Sequence, residues 1–360
     1  MIEWTNEYDI IFSFLTSLLI SAFAIPQIIQ VAKLKRLFDN PNPRKLHNCK
    51  TPTLGGIAIL LGFIFSTTFW TNFSYCWHLQ YVIAACIIIA VIGIKDDIVS
   101  LSPLIKFIGQ VIAATVLVIW GDIRIVSWFD IFGVNELPLL ISYIFSIFTI
   151  VVIVNAFNFV DGIDTLAALL GIIASIVFGI YFYLYDQNVQ HSILAFSLAG
   201  SLLGFLYYNR TPAKIFMGDT GSMLLGLIIA MFAIEFININ YNSSFKGFRS
   251  VSAPTIAMSI IFVPLFDVVR VVGIRLYRGN SPFKPDKKHL HHLLLNLGLS
   301  HIKASLILVS FQILLIICAF LLHFKGNYWI GFTLLSLSLL FTWYISYLNK
   351  KQNTIQQKNE

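Results

Sequence analysis

Five stretches of this chain gather carboxylates, amides, basic residues and histidines in spacings that suit phosphate chemistry. The first runs Pro43-Arg44-Lys45-Leu46-His47 and on to Pro52-Thr53-Leu54-Gly55-Gly56, and the second holds Lys95-Asp96-Asp97, Ser102-Pro103 and Lys106. The third runs from Asn155 to Asp164 through Asn158, Asp161 and Gly162, and the fourth from Asn209 through Phe216 to Gly218-Asp219-Thr220-Gly221-Ser222. The fifth is Ser281-Pro282-Phe283-Lys284-Pro285-Asp286, leading to His289-Leu290-His291-His292. Carboxylates beside apolar segments are expensive to desolvate unless paired or bound to a cation, so Asp96, Asp97, Asp161, Asp164 and Asp219 together predict a hard metal. Mg²⁺ is the natural candidate, with Mn²⁺ as a substitute, because it is held by one or two carboxylates or amides and completes its octahedron with water and substrate phosphate. Lys45, Lys106 and Arg278 supply positive charge for phosphate oxygens. Asp219 stands at a helix start whose backbone donors and dipole favour an anion or a metal-bound phosphate.

Spacing refines these roles. If residues 155–164 are helical, Asn155 and Asn158 share a face, as do Asp161 and Asp164, and Gly162 is the point at which that helix breaks. Adjacent Asp96 and Asp97 diverge on a helix and so predict divided tasks. His289 and His292 share a face while His291 looks elsewhere. Each signal alone also has a plain reading. Asp96-Asp97 suits a solvated turn, and the histidine run suits zinc as well as phosphate, although no nearby Cys or His-Glu-x-x-His pattern supports zinc. Asp267 and Arg270, one helical turn apart, read as a structural ion pair, and Phe216 as interface packing. Only the joint occurrence of the motifs on one side of a membrane decides for chemistry.

The elements that must position them are transmembrane helices. In 360 residues, 58% are hydrophobic against 11% charged, mean hydropathy is +0.82 and there are 32 Phe, which no soluble core would hide. Apolar segments fall at about 10–32, 54–70, 79–94, 104–120, 138–156, 166–185, 191–208, 223–239, 255–276, 302–322 and 328–348. The expected fold is an all-α polytopic integral membrane protein of about 11 helices. It forms a single catalytic domain over 1–360, ending in a polar cytoplasmic tail from about 349 to 360 that frays. Of the 24 lysines and arginines, only Arg124, Lys246, Arg249 and Lys325 fall on one side, which places the N-terminus outside and the C-terminus in the cytoplasm. All five motifs then face the cytoplasm. The net charge of +7 therefore reads as membrane orientation and not as nucleic-acid binding. No Lys or Arg precedes Lys33, so the first apolar run is expected to stay as a helix. Cys49, Cys76, Cys86 and Cys318 show no paired spacing, and no internal repeat is visible.

From Asp39 to about Ser300 the motifs and their order resemble the polyprenyl-phosphate N-acetylhexosamine-1-phosphate transferases, a family that includes the translocase making peptidoglycan lipid I. The stretch from Ser281-Pro282-Phe283 to His292 resembles the bacterial GlcNAc branch. The resemblance implies that Asp96 and Asp97 are the family's acidic pair, that Lys106 faces substrate phosphates and that Asn158 and Asp219 hold Mg²⁺. It further implies a catalytic site that includes Asp161, Asp164 and His289. Lys45 and Asn155 would contact substrate, Asn209 and Phe216 the nucleotide, and Arg278, His291 and His292 the sugar. One departure is Thr165, where relatives carry Gly after the second Asp, which bears on the orientation of Asp164.

The implied reaction is attack by undecaprenyl phosphate on the β-phosphorus of a UDP-N-acetylhexosamine, releasing UMP in the bacterial inner membrane and starting a lipid-linked envelope glycan. The donor is expected to be UDP-GlcNAc, with GalNAc or a deoxy-hexosamine as alternatives, and the family suggests a homodimer. A secondary transporter is the competing class, but it would place its acids near the bilayer midplane and not at one interface.

Overall fold

The computed structural model describes residues 6–37, 51–72, 76, 78–185, 189–242, 250–279 and 288–359. Its helices are α1 (Asn6–Leu34), α2 (Gly55–Trp70), α3 (Leu79–Ile98), α4 (Pro103–Thr115), α5 (Leu139–Val160), α6 (Leu166–Tyr185) and α7 (Gln190–Asn209), followed by α8 (Gly218–Asn242), α9 (Ala253–Ile260), α10 (Phe262–Tyr277), α11 (Leu290–Asn296), α12 (His301–Leu321) and α13 (Asn327–Asn359). A π-helical turn, Val116–Trp120, extends α4, and a hairpin, β1 (Ser127–Ile131) with β2 (Val134–Glu136), fills the loop before α5. Helix covers each of the eleven apolar segments. Among the described residues, eight helices are long and apolar enough to cross a membrane, or nine when α9 and α10 count as one bent span. In lipid every backbone polar group needs an internal partner, which makes helices the solution for so apolar a sequence.

One expectation about continuity is corrected. The segment 255–276 is not one helix: it breaks at Ile261, and its halves meet at 84°. Pro264 is the cause, since it has no N–H for the carbonyl of Ile260 and its ring clashes there. The groups freed at the break are satisfied by Gln312, a buried residue of α12 that accepts the Val263 N–H at 2.8 Å and donates to the Ser259 carbonyl at 2.5 Å. Helix α13 continues through the polar tail to Asn359.

Helix α8 runs through the centre of the bundle, with 89% of its apolar window buried against 22% for α13. Small residues let its neighbours approach closely. A Cβ on Gly93 of α3 would stand 2.4 Å from Thr220 Cα, and one on Gly56 of α2 would stand 2.1 Å from the Gly221 nitrogen. On the far side of α8, the hairpin, α5, α9 and α10 line an apolar cavity of about 450 Å³ among Trp128, Phe148, Ile237, Met258 and Val269.

Candidate active site

The site forms where α3 ends and α4 and α8 begin. Pro103 fits the first turn of α4, where a missing N–H costs nothing, and sets Lys106 in that turn. The ammonium of Lys106 lies 2.6 Å from Asp96 Oδ2 and 2.5 Å from Asp219 Oδ2, bridging two helices. Asp96 Oδ1 also accepts the Leu101 N–H at 2.6 Å. Asn158, in the last turn of α5, donates Nδ2 to Asp219 Oδ1 at 3.0 Å and to Ser222 Oγ at 2.9 Å.

Asp97 takes different partners from Asp96. Its carboxylate accepts the Asp219 N–H at 2.8 Å, the Thr220 N–H at 3.1 Å and the Thr220 hydroxyl at 2.6 Å. An acid from α3 therefore caps α8, filling two of the donors that a helix start leaves open. Gly218 permits the approach: it sits at φ +71°, and a Cβ there would come within 2.7 Å of both Asp97 oxygens. The same region is tied to the start of α2, where Phe216 donates its N–H to the Pro52 carbonyl, and Gly55 and Gly56 donate to the carbonyls of Phe216 and Met217.

Residues 155–164 do not form one helix, so the expected pairing of Asp161 and Asp164 on a helical face is corrected. Helix α5 ends at Val160 and the chain turns through Asp161 to Thr165, with Thr165 at φ +71°. Burial, followed by the negative charges of Asp219, Asp97 and Asp164, pushes the Asp161 carboxyl well above the ordinary range. Asp164 is buried, with Oδ2 at 3.5 Å from His301 Nδ1, and its carbonyl accepts the Ser305 hydroxyl at 3.0 Å.

The amides divide between the site and its support. Asn155 lies one turn deeper than Asn158 and pairs with Gln110, donating to its Oε1 at 2.6 Å. Asn209 is buried, accepts the Thr165 N–H at 2.8 Å and donates to the Ile215 carbonyl at 2.9 Å, so its side chain joins the acidic turn to the segment before α8. Phe216 is partly buried.

The histidine segment also differs from the helical-wheel expectation. Helix α11 starts at Leu290, which leaves His289 outside it as the preceding cap residue. The ring of His289 stacks on Phe159 and on His291, with centroids 5.7 Å apart in both cases, and His291 meets His292 at 4.4 Å. His291 is buried over Gly162, where a Cβ would come within 2.5 Å of its Nε2. Burial, with the neighbouring His292 next, pushes the His291 imidazole down to about 3. Asp267 and Arg270 form the expected ion pair at 2.8 Å, and Asp267 also contacts His289, a link the sequence spacing did not reveal. Arg278 is exposed at the end of α10. Lys45 and residues 281–286 lie outside the described residues.

Among the described residues Lys106 bridges Asp96 and Asp219, and the charges of Asp219, Asp97 and Asp164 act on Asp161, so the acids gather at one end of the bundle. Residues 79–237, which contain all five acids together with Lys106 and Asn158, match glycosyl transferase family 4. A decaprenyl-phosphate N-acetylglucosaminephosphotransferase of Mycobacterium leprae is 35% identical over 314 residues, covering 82% of this chain and 79% of the relative. The chain belongs to this family. It is an enzyme of the sugar-phosphate transferase kind. An undecaprenyl-phosphate alpha-N-acetylglucosaminyl 1-phosphate transferase of Escherichia coli is 31% identical over 309 residues, covering 84% of this chain and 80% of the relative. The residues matched by the family end at 237, before α10 and α11.

Proposed function

We propose that the enzyme transfers GlcNAc-1-phosphate from UDP-GlcNAc to undecaprenyl phosphate, releasing UMP. The observation that carries this reading is the bridge of Lys106 between Asp96 and Asp219, set among further acids at the mouth of a membrane-embedded bundle. The names of the relatives supply the sugar and the polyprenyl acceptor. A phosphate oxygen of the lipid attacks the β-phosphorus of the nucleotide sugar. The bond from that phosphorus to the bridging oxygen breaks, and UMP leaves with the oxygen. A phosphate monoester is already largely ionised near neutral pH, since its second pKa is about 6, so catalysis rests on positioning and charge neutralisation.

The donor set fits Mg²⁺, or Mn²⁺ in its place. The carboxylate of Asp219 and the amide of Asn158 beside it supply hard oxygen donors of the kind Mg²⁺ takes while it fills its shell with water and phosphate. Asp219 and Asn158 would hold it, with Asp161 beside them. When bound, it neutralises charge on the diphosphate oxygens. Lys106 binds phosphate oxygens by exchanging one of its carboxylates for substrate, and Asp97 keeps the start of α8 in place. Phe216 and Asn209 belong to the nucleotide end, and His289, His291, His292 and Arg278 to the sugar end.

The apolar cavity lined by the hairpin, α5, α9 and α10 offers hydrocarbon contact of the kind a polyprenyl chain needs. The eleven helical segments cross the inner membrane with the site on the cytoplasmic face, the N-terminus outside and the C-terminus inside, and the protein works as a homodimer. The product starts a lipid-linked envelope glycan. The test is to incubate purified protein with undecaprenyl phosphate, Mg²⁺ and a panel of UDP-GlcNAc, UDP-GalNAc and deoxy-hexosamine nucleotides. The reading requires UMP release with formation of a lipid diphosphate sugar, fastest with UDP-GlcNAc and abolished by EDTA. Absence of both products with every donor would refute it.

A further inference from the structure

Three consecutive residues of the histidine segment are held by two side chains of α10. Asp267 Oδ2 meets His289 Nδ1 at 2.8 Å, and Asp267 Oδ1 accepts the Leu290 N–H at 3.0 Å and Arg270 Nη2 at 2.8 Å. The same Nη2 of Arg270 donates to the Lys288 carbonyl. Asp267 is only 2% exposed. A buried carboxylate of this kind persists when its charge is fully partnered.

We propose that Asp267 and Arg270 form a clamp that docks the histidine segment onto the acidic turn, with Asp267 as the positioning residue for His289. A carboxylate oxygen only accepts, so Nδ1 of His289 carries the proton and Nε2 is the nitrogen left for a ligand. The ring is fixed in orientation as well as in tautomer, because its faces pack on Phe159 and His291. Phe159 directly follows Asn158, and His291 covers Gly162, so the clamp holds His289 against the turn that carries Asp161. In this arrangement Asp267 acts on the diphosphate and sugar through His289, without itself touching substrate. The inference rests on the transferase reading for what His289 binds, but the clamp itself can be judged without activity.

Two measurements test it. Hydrogen exchange of the purified protein in detergent should show faster exchange in peptides covering 288–296 for Asp267→Ala than for wild type, with α12 peptides unchanged. Equal exchange in the two proteins would overturn the clamp whatever the activity. In steady-state UMP release, Asp267→Asn should lower kcat by about 10- to 100-fold, the range for partners that orient a histidine, with KM for undecaprenyl phosphate nearly unchanged. The Asp267→Asn, His289→Gln double variant should be no slower than His289→Gln alone. A wild-type kcat in Asp267→Asn, or losses that multiply in the double variant, would overturn the positioning role. If the wild type itself released no UMP, the transferase reading would fall while the exchange result still decided the clamp.

Discussion

The carboxylate of Asp97 accepts the backbone N–H of Asp219 at 2.8 Å, so one acid of the cluster holds the helix on which another is mounted. Asp97→Asn keeps one acceptor oxygen but removes the negative charge from the start of α8. It should cost about 1–2 kcal/mol of stability, as caps and helix-dipole partners do, and lower turnover with it. Asp219→Asn gives up the ion pair with Lys106 and should abolish turnover outright, where Asp97→Asn only lowers it. Melting and UMP release measured on both variants separate the roles, and an Asp97→Asn protein as stable as wild type would remove Asp97 from the capping role.

Asp161 should trade stability against activity. Its folded carboxyl is raised by burial and by Asp219, Asp97 and Asp164, so the ionised form is penalised. The penalty begins above the unfolded value of about 3.9 and grows as pH rises toward the folded value. In EDTA at neutral pH, Asp161→Asn should melt higher than wild type, and the gap should close near pH 4. Turnover should fall at least about tenfold. A variant that melts lower than wild type at neutral pH would contradict this account.

Thr165 holds a left-handed φ of +71° with a β-branched side chain, and its hydroxyl is buried with no hydrogen-bond partner among the described residues. Thr165→Gly should relieve about 1–2 kcal/mol of backbone strain, offset by about 0.5–1 kcal/mol of added chain entropy. The bond from residue 165 N–H to Asn209 survives the change, so the expected result is a modest rise in melting temperature. A fall of several degrees would show that the Thr side chain is needed there.

His291 makes stability depend on pH. Its imidazole is near 3 when folded against about 6.5 unfolded, so its contribution is complete above pH 6.5 and is lost as pH falls from there toward 3. Wild type should therefore lose more melting temperature between pH 7.5 and pH 5 than His291→Asn. Parallel losses in the two proteins would exclude His291 as the source.

Orientation is testable without substrate. A reporter fused after Lys351 should read as cytoplasmic and one inserted near Asn242 as external. Both on one side would break the proposed count of eleven spans.

The acids were legible in the sequence because lipid makes charge rare, so Asp96, Asp97, Asp161 and Asp219 stood out against apolar runs. Helix positions were legible for the same reason, since a hydrophobic window of bilayer length has few other fates. Breaks were harder to read. Pro264 marks the bend at Ile261, yet bundles tolerate proline elsewhere, as α1 does at Pro26, so the residue alone does not announce an 84° turn. Gln312 decides it, and that contact spans 49 residues. The partners of Asn155 and Asn209 were not legible, since their amides turn to Gln110, Thr165 and Ile215, as far as 45 residues away along the chain. The tie from Asp267 to His289 links positions 22 apart across residues whose spacing carries no period.

The near-complete burial of α8 has a mechanical consequence. Helices such as α13, which touch lipid over most of their length, follow changes in bilayer thickness and lateral pressure, whereas α8 is insulated from both by the layer around it. The residue that anchors the proposed chemistry thus rides on an axle, with the fluctuating solvent borne by the outer helices. Membrane composition should then govern how the lipid substrate arrives far more than how Asp219 is aimed once it has.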